Sequence, residues 1–340
     1  MRFEFYHSGL DNVPKLSVDG TVSQSIHFSH WQGNETPAAV KADTSTEIAL
    51  NLVGSPNRDQ LTAGIDLVTN NHFDTDGVLS VWTVLTGEPA LALRDRLVPA
   101  AEAGDFSEFT NEAAERASIV IQGSDQASAN DQSGSPLARY LAGDESLDDA
   151  RAYELVLPAV ERVLMHTDEY EPLWRGPWEQ IAAALESFER GDSTVEEFAA
   201  AKLSVVSLAP EVFSANGFNP TRHAAPYTAI SRYAHGELFL ITTPVAGGWI
   251  YRLDYPYYSW AETLVRPKIV RRDLTALLIE LNQSEGNRDG RWQLDTSEMT
   301  SAVKFLSSEG ILGASSIAPH KLSKILCAAL SSQQASAAQS

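Results

Sequence analysis

The sequence has a single cysteine, Cys327, among its 340 residues. One cysteine excludes an intrachain disulfide framework and any zinc site built from several thiolates. Long apolar runs are also missing, because no segment approaches the length of a membrane span and the residues after Met1 lack the apolar core of a signal peptide. The sequence has no P-loop, no dinucleotide-binding fingerprint and no Gly-x-Ser-x-Gly elbow. We therefore expect a cytoplasmic protein without a membrane partner.

Positive charge is scarce as well. Lysine and arginine number 25 against 45 aspartate and glutamate residues, which gives a formal net charge of -20. A field of this sign repels nucleic acid and anionic membranes, so extended nucleic-acid binding is not expected, although a local basic pocket for phosphate is compatible with it. Hydrophobic content of 43% and a length of 340 residues indicate a globular chain of one large or two ordinary domains.

The first part of the chain alternates between strand-like and helix-like patterns. Extended segments are predicted at residues 15–22, 24–31, 65–69 and 118–121, and helices at a capping box from Thr44 to Glu47, at 77–85 and from 89 towards 103. Strands that alternate with helices predict an α/β fold with a mostly parallel sheet flanked by helices. In such folds ligands bind at the carboxyl ends of the strands.

The rest of the chain is helical at first and then mixed. Helices are predicted from 144 to 164, from 178 to 190 and after a capping box at Ser193 to Glu196, followed by a hairpin of strands 237–243 and 249–255, a strand at 257–264, a helix at 273–282 and a strand at 291–294. We expect an α/β domain over residues 1–205, a C-terminal α+β segment over 206–325, and a disordered tail over 326–340 that ends in Ser, Ala and Gln only.

The segment from Asn70 to Ser80 carries the strongest functional pattern. His72, Asp74 and Asp76 alternate just after an apolar run, so the three side chains lie on one face of a strand or converge in a tight turn. One imidazole and two carboxylates can then bind one ion or a pair of ions, and Gly77 allows a close approach of the backbone. A calcium EF-hand is the obvious alternative. It fails, because aligning Gly77 with the loop glycine puts Thr83 where a bidentate Glu is needed.

The segment His72-Phe73-Asp74-Thr75-Asp76-Gly77, with a strand before it and a helix after it, resembles the first motif of the DHH phosphoesterase superfamily. The resemblance implies that His72, Asp74 and Asp76 are ligands of a dimanganese centre, and it covers only residues 65–85. The family's second motif, an aspartate after a later strand, is matched only by Asp125. The Asp-His-His triplet is absent, and His166 is a substitute candidate ligand.

Other polar clusters have both a functional and a structural interpretation. Arg222 and His223 follow Asn219-Pro220, and Arg271 and Arg272 end the only concentrated basic run, 266–272, so these four are candidates for contact with substrate phosphate. For Arg222 and His223 a solvated turn is the more common explanation, and half or more of such basic runs are solvated faces or domain-docking pairs. His27 and His30, at i and i+3, are predicted to be ordinary residues of a half-buried strand, and Glu47 to be part of a helix cap rather than to face a metal with Asp43.

Two hypotheses of different class follow. The first is a divalent-metal-dependent hydrolase, a DHH-like phosphoesterase that uses a metal-bound water, with Mn2+ (or Mg2+ or Zn2+) as cofactor. Its substrate would be a small phosphorylated molecule or a short oligonucleotide. The second is a non-catalytic or degenerate protein of the same fold with a binding or structural role, in which the His72 segment only shapes a turn and caps a helix.

Overall fold

The computed structural model describes residues 1–124, 134–137, 148–210, 212, 226–295 and 299–337. The chain divides into two compact units: Met1–Trp178 with Trp260–Lys268, and Glu179–Ser259 with Ile269–Ser340. The division predicted at residue 205 falls inside the second unit. That unit also contains most of the predicted α+β segment.

The first unit is built on a parallel sheet of four short strands. They are β1 (Arg2–Phe3), β2 (Leu16–Val18), β3 (Ile26–Phe28) and β4 (Leu67–Thr69), in the order β1-β4-β2-β3. In register, Leu16 of β2 lies beside Val68 of β4 and Ile26 of β3. Every residue of β2 and β4 is buried, as expected of inner parallel strands that are covered on both faces. The carboxyl ends of β4, β2 and β3 therefore meet at one edge of the sheet.

Helices follow this sheet along the chain; the helices at residues 45–53 and 75–86 pack against it, and the last helix, which begins at Glu171, continues into the second unit from Glu179. They are α1 (Ser45–Val53), α2 (Arg58–Leu61), α3 (Thr75–Thr86), α4 (Arg94–Phe106), α5 (Glu112–Gln122), α6 (Asp149–Val156), α7 (Val160–Met165) and α8 (Glu171–Arg190). The predicted cap of α1 is confirmed, because the Thr44 hydroxyl oxygen accepts from the Glu47 amide at 3.2 Å. The strand predicted at 118–121 is wrong. These apolar residues form the buried last turns of α5, and so short an apolar run does not separate a strand from a buried helix end.

The second unit contains a mixed sheet of six strands. They are β5 (Thr194–Phe198), β6 (Leu203–Ser207), β7 (Leu238–Val245), β8 (Gly248–Asp254), β9 (Gly290–Leu294) and β10 (Ser301–Ser307), in the order β5-β6-β7-β8-β10-β9. Its described helices are α9 (Tyr227–Tyr233), α10 (Thr275–Ser284) and α11 (Pro319–Ala337). The β7–β8 hairpin is confirmed, and Gly247 at φ +87° provides its turn. Both sheets have flanking helices, so the α/β class is confirmed.

Two predicted elements of this region differ. The capping box at Ser193 opens β5 instead of a helix, because the Ser193 hydroxyl contacts the Ser187 hydroxyl at 2.7 Å and accepts from the Ala209 amide. The strand predicted at 257–264 is a 3-10 turn, Tyr257–Trp260, followed by irregular backbone. The predicted tail begins within α11, whose backbone is helical to Ala337. Among the helices of the described residues, none is long and apolar enough to cross a bilayer.

Candidate metal centre

Three neighbouring strands of the first unit end in acidic and imidazole side chains. Asp19 directly follows β2, His30 lies two residues after β3, and the segment His72 to Asp76 follows β4. Because β4, β2 and β3 are adjacent and parallel, these side chains converge at one edge. Asp105, in the last turn of α4, completes the set.

The first group consists of Asp19, His30, Asp76 and Asp105, whose ligand atoms all lie within 4.8 Å of one another. His30 Nε2 is 3.0 Å from Asp105 Oδ2, 3.4 Å from Asp19 Oδ1 and 3.8 Å from Asp76 Oδ2. The His30 and Asp76 side chains are fully buried, and that of Asp105 is 8% exposed. This group is therefore shielded from bulk water.

The second group consists of Asp19, His72 and Asp74. His72 Nε2 lies 3.0 Å from both Asp19 Oδ2 and Asp74 Oδ2. The His72 and Asp74 side chains are 27% and 26% exposed, so this group is the more open one. Asp19 belongs to both groups, with Oδ1 towards His30 and Oδ2 towards His72. Its carboxylate is placed between two neighbouring sites.

Four ligand atoms of these groups are buried without a hydrogen-bond partner among the described residues: Asp19 Oδ2, His30 Nε2, His72 Nε2 and Asp105 Oδ2. They nevertheless form two pairs, His30 Nε2 with Asp105 Oδ2 and His72 Nε2 with Asp19 Oδ2, each 3.0 Å apart. The atoms of each pair are therefore close without the orientation of a hydrogen bond. Ligands bound at about 2.1 Å and at right angles around one cation are roughly 3.0 Å apart. Buried polar atoms that lack hydrogen bonds lower the stability of a protein unless another group, such as a cation, binds them. The donor set fits divalent cations.

Both imidazoles are oriented by a bond from the other ring nitrogen. His30 Nδ1 lies 2.6 Å from the Asp43 main-chain oxygen, which can only accept, so Nδ1 carries the proton. His72 Nδ1 lies 3.2 Å from the side-chain oxygen of Asn71 in the same relation. In each ring Nε2 is thereby directed into the cluster, which is the orientation a metal ligand needs once a cation has displaced the Nε2 proton.

The carboxylates are held by helix N-termini. Asp76 accepts from the Ser45 and Thr46 amides at the start of α1, both at 2.7 Å. Asp74 caps α3 through the Gly77 amide at 2.7 Å. The free amides and positive end of a helix favour negative charge, so both groups are fixed in place and these contacts oppose the effect of burial on their ionisation.

The pKa values reflect crowded charges. Burial lowers the pKa of His30, but Asp105, Asp76 and Asp19 outweigh burial and raise it to about 10. Asp74 and Asp19 likewise overcome burial and raise the pKa of His72 to about 12. Burial raises the pKa of Asp105 to about 7, although the nearby His30 opposes this shift. Without a cation the cluster thus keeps protons on both imidazoles, and these are protons that a bound metal ion displaces.

The remaining carboxyl groups are shifted in opposite directions. Burial, then the charges of Asp19 and Asp105, raise the pKa of Asp76 well above its usual range. Burial and Asp74 raise the pKa of Asp19. For Asp74 burial acts upwards too, but His72 and the Gly77 amide dominate and lower its pKa. Like charges buried together with divergent pKa values are typical of functional sites.

Aromatic rings line one side of the cluster. Trp260 meets the His30 ring edge-on at 5.0 Å between centroids, and Phe106 lies 5.6 Å from the same ring. Trp31 lies 5.3 Å from the His72 ring and 4.8 Å from Trp260. This apolar side excludes water and strengthens the electrostatic interactions inside.

The three residues of the His72 segment all belong to these groups, His72 and Asp74 to one and Asp76 to the other. His166 is exposed at the C-terminal end of α7 and belongs to neither group. Asp125, Arg222 and His223 lie outside the described residues.

The two arginines predicted to contact phosphate lie in the second unit. Arg272 donates to the Ala201 main-chain oxygen and to Glu237, each at 3.1 Å. Arg271 stacks over the Tyr255 ring at 4.0 Å and donates to the Ser259 hydroxyl.

Sequence reasoning did not select Asp19, His30 or Asp105. Asp19 and His30 carry a usable signal, since each lies in the carboxyl-terminal half of a predicted strand (15–22 and 24–31), and the carboxyl ends of strands face the site in an α/β fold. His30 lies beyond the end of β3, so the argument from strand faces does not apply to it. Asp105 sits in the last turn of a helix, and nothing local marks it.

Comparisons with known proteins give one informative match. Residues 2–340 match the sequence model of a family described as "Family of unknown function (DUF6687)". No protein with a curated description matches. Among solved structures, a pGpG-specific phosphodiesterase, PggH from Vibrio cholerae, aligns over 97% of this chain and 90% of its own, at 11% identity and a TM-score of 0.37. A TM-score this low carries no argument about fold or activity. The family match spans nearly the whole sequence, and the chain therefore belongs to DUF6687, a family of unknown function.

Proposed function

We propose that this protein is a divalent-metal-dependent phosphoesterase with a two-cation centre of the DHH kind. The observation that carries the proposal is the convergence of buried carboxylate and imidazole ligand atoms around Asp19, which serves both groups. The resemblance of the His72 segment to the first DHH motif also supports the proposal.

The proposed ligands follow the two groups. One cation would be held by Asp19, His30, Asp76 and Asp105, and the other by Asp19, His72 and Asp74. Carboxylate and imidazole ligands without thiolate favour manganese or magnesium, with zinc also compatible. Mn2+ is the proposed resident ion.

When bound, such a pair of cations polarises a phosphoryl oxygen and lets water act as a nucleophile at neutral pH. The protein provides the surroundings. His72 and Asp74 are about a quarter exposed, so substrate reaches the centre from their side, whereas His30 and Asp76 are fully buried and hold their cation away from bulk water. The Asn71 and Asp43 oxygens fix the imidazoles so that both Nε2 atoms stay aimed at the centre.

The proposed substrate is a small phosphorylated molecule or a short oligonucleotide. A formal net charge of -20 disfavours long polyanions, since their repulsion grows with every phosphate beyond the site. Arg222, His223, Arg271 and Arg272 stay the proposed phosphate contacts, and Asp125 and His166 the proposed additional ligands.

The test combines metal analysis with hydrolysis. Protein dialysed against Mn2+ and then freed of unbound ion should hold two equivalents and cleave a phosphodiester such as bis(p-nitrophenyl) phosphate. The double variant Asp74→Ala/Asp76→Ala should lose both properties, whereas Asp59→Asn, at an exposed position of α2, should keep them. Metal without hydrolysis of any phosphoester would favour the non-catalytic alternative. Wild-type protein that retains no metal at all would refute the proposal.

A further inference from the structure

A segment far along the chain supports the candidate metal centre. Residues 260–268, here called the strap, belong to the first unit, although the stretches on either side, Glu179–Ser259 and Ile269–Ser340, belong to the second. The strap contacts His30 twice: Trp260 packs edge-on against its ring at 5.0 Å, and the Glu262 amide donates to its main-chain oxygen at 2.7 Å. His30 and the strap are thus joined directly, by a ring contact and a hydrogen bond.

The strap also reaches His30 through Asp43. The Asp43 carboxylate accepts from the main-chain amides of Leu264, Val265 and Arg266 and from Arg266 Nη1 at 2.8 Å. Because the main-chain oxygen of the same Asp43 accepts a hydrogen bond from His30 Nδ1, the strap fixes the residue that orients this imidazole. Charge-assisted bonds of this kind are stronger than neutral ones.

Arg266 extends the support to a second ligand. Its guanidinium also pairs with Glu102 at 2.8 Å and with Glu108 at 2.5 Å, and it lies over the Phe106 ring at 4.7 Å. Glu102 and Phe106 are residues of α4, the helix that carries Asp105. A guanidinium can make several directed bonds at once, so one side chain joins the Asp43 loop to the end of α4.

His30 and Asp105 are therefore attached to the two elements that Arg266 connects. Their ligand atoms form the 3.0 Å pair of the first group. The Arg266 side chain is 14% exposed and paired with three carboxylates, so it is committed to this role rather than available to a phosphate.

We propose that Arg266 is a positioning residue of the centre, which sets the placement of His30 against Asp105 and thereby the affinity for the cation these two hold. The effect on cation affinity rests on the proposed function. The effect on His30 rests on the contacts alone.

The experiment compares Arg266→Gln with a control, Arg94→Gln, which removes another partly buried arginine paired to a carboxylate, Glu47. In protein labelled with 15N-histidine and free of metal, the His30 Nδ1 proton should resonate far downfield because of its short hydrogen bond. Arg266→Gln should shift or broaden this signal, and Arg94→Gln should leave it unchanged. Titration with Mn2+ should show one of two sites weakened by about 10- to 100-fold in Arg266→Gln, with the other site within twofold.

Two further variants keep the test decisive if Arg266→Gln folds poorly. Arg266→Lys retains the positive charge but lacks the planar guanidinium with its several donors. It should recover only part of the Mn2+ affinity that Arg266→Gln loses. Asp43→Asn keeps an acceptor for the strap amides and the main-chain oxygen for His30, but it loses the charge pairing with Arg266. It should therefore resemble Arg266→Gln.

The outcomes separate the two proposals. A wild-type His30 signal and an Mn2+ affinity within twofold of wild type in folded Arg266→Gln would overturn the positioning role. If wild-type protein binds no Mn2+ while the His30 signal changes as expected, the phosphoesterase proposal fails and the positioning of His30 is supported.

Discussion

Asp19→Asn is the sharpest perturbation of the centre, because Asp19 is the residue shared by both groups. Asparagine preserves the shape of the side chain and leaves an oxygen for the Ser45 hydroxyl, which donates to Asp19 Oδ1 at 2.8 Å. Asp19 has φ +58°, a left-handed conformation that asparagine adopts more readily than most residues, whereas alanine would add strain. The substitution therefore changes charge and ligation with little change of backbone.

Two effects of opposite sign follow from the surroundings. Burial and the Asp74 charge raise the pKa of Asp19, so the metal-free protein loses little when the carboxylate becomes neutral, and its melting temperature should stay equal or rise by a few degrees. Wild-type protein should gain about 2.7 kcal/mol for each ion present at 100 times its dissociation constant. At about 2–4 °C per kcal/mol, that gain is a rise of roughly 5–10 °C per ion.

Thermal unfolding with chelator and with Mn2+ measures both effects, with Asp59→Asn as the control. Asp19→Asn should lose the Mn2+-dependent rise completely, together with any hydrolysis. Retention of the full rise would show that Asp19 is not a ligand, and loss of half of it would show that Asp19 serves one ion only.

Two further predictions concern local packing and pH. Gly77→Ala should lower the melting temperature and weaken Mn2+ binding in a titration, because a Cβ there would lie 2.5 Å from Asn70 Nδ2 and 2.7 Å from Tyr153 Oη; an unchanged affinity would contradict this. Burial raises the pKa of Glu285, but bonds from Ser315 and Ser316 outweigh it and lower the pKa from 4.5 to about 2. As pH falls, Glu285 becomes protonated in the unfolded chain before it does in the folded protein. About 3 kcal/mol of folding stability, present above pH 4.5, should therefore be lost towards pH 2. Denaturant unfolding of Glu285→Gln should show a flatter dependence of stability on pH.

The part of the centre that could be predicted from sequence is the part encoded locally. His72, Asp74 and Asp76 lie within five residues at a strand-to-helix junction, and their proximity in sequence indicates that they serve one centre. The period-two argument does not extend to Asp76, which lies in the first turn of α3 and joins the other group. Asp105 comes from a helix end, and its approach to His30 depends on packing over many residues. No local pattern carries that information.

The wrong secondary-structure predictions have the same origin. The segment 257–264 has the aromatic residues of a strand, yet the amide of Leu264 donates to the distant Asp43 carboxylate instead of to a neighbouring strand. At Ser193 the hydroxyl is engaged by Ser187 and Ala209, so a pattern typical of a helix start precedes a strand. In both places a contact over long range overrode a local preference.

Charge balance supports the proposal of two cations rather than one. The two groups together contain four aspartates and two histidines. With both imidazoles protonated, the six side chains still have an excess of negative charge at a buried position. Burial and this excess raise the pKa values of Asp19, Asp76 and Asp105. One divalent cation with neutral imidazoles leaves the same excess, whereas two divalent cations balance the four carboxylates and need no proton on either histidine. Because burying unbalanced charge is costly, the chemistry of this donor set favours a pair of ions that share Asp19.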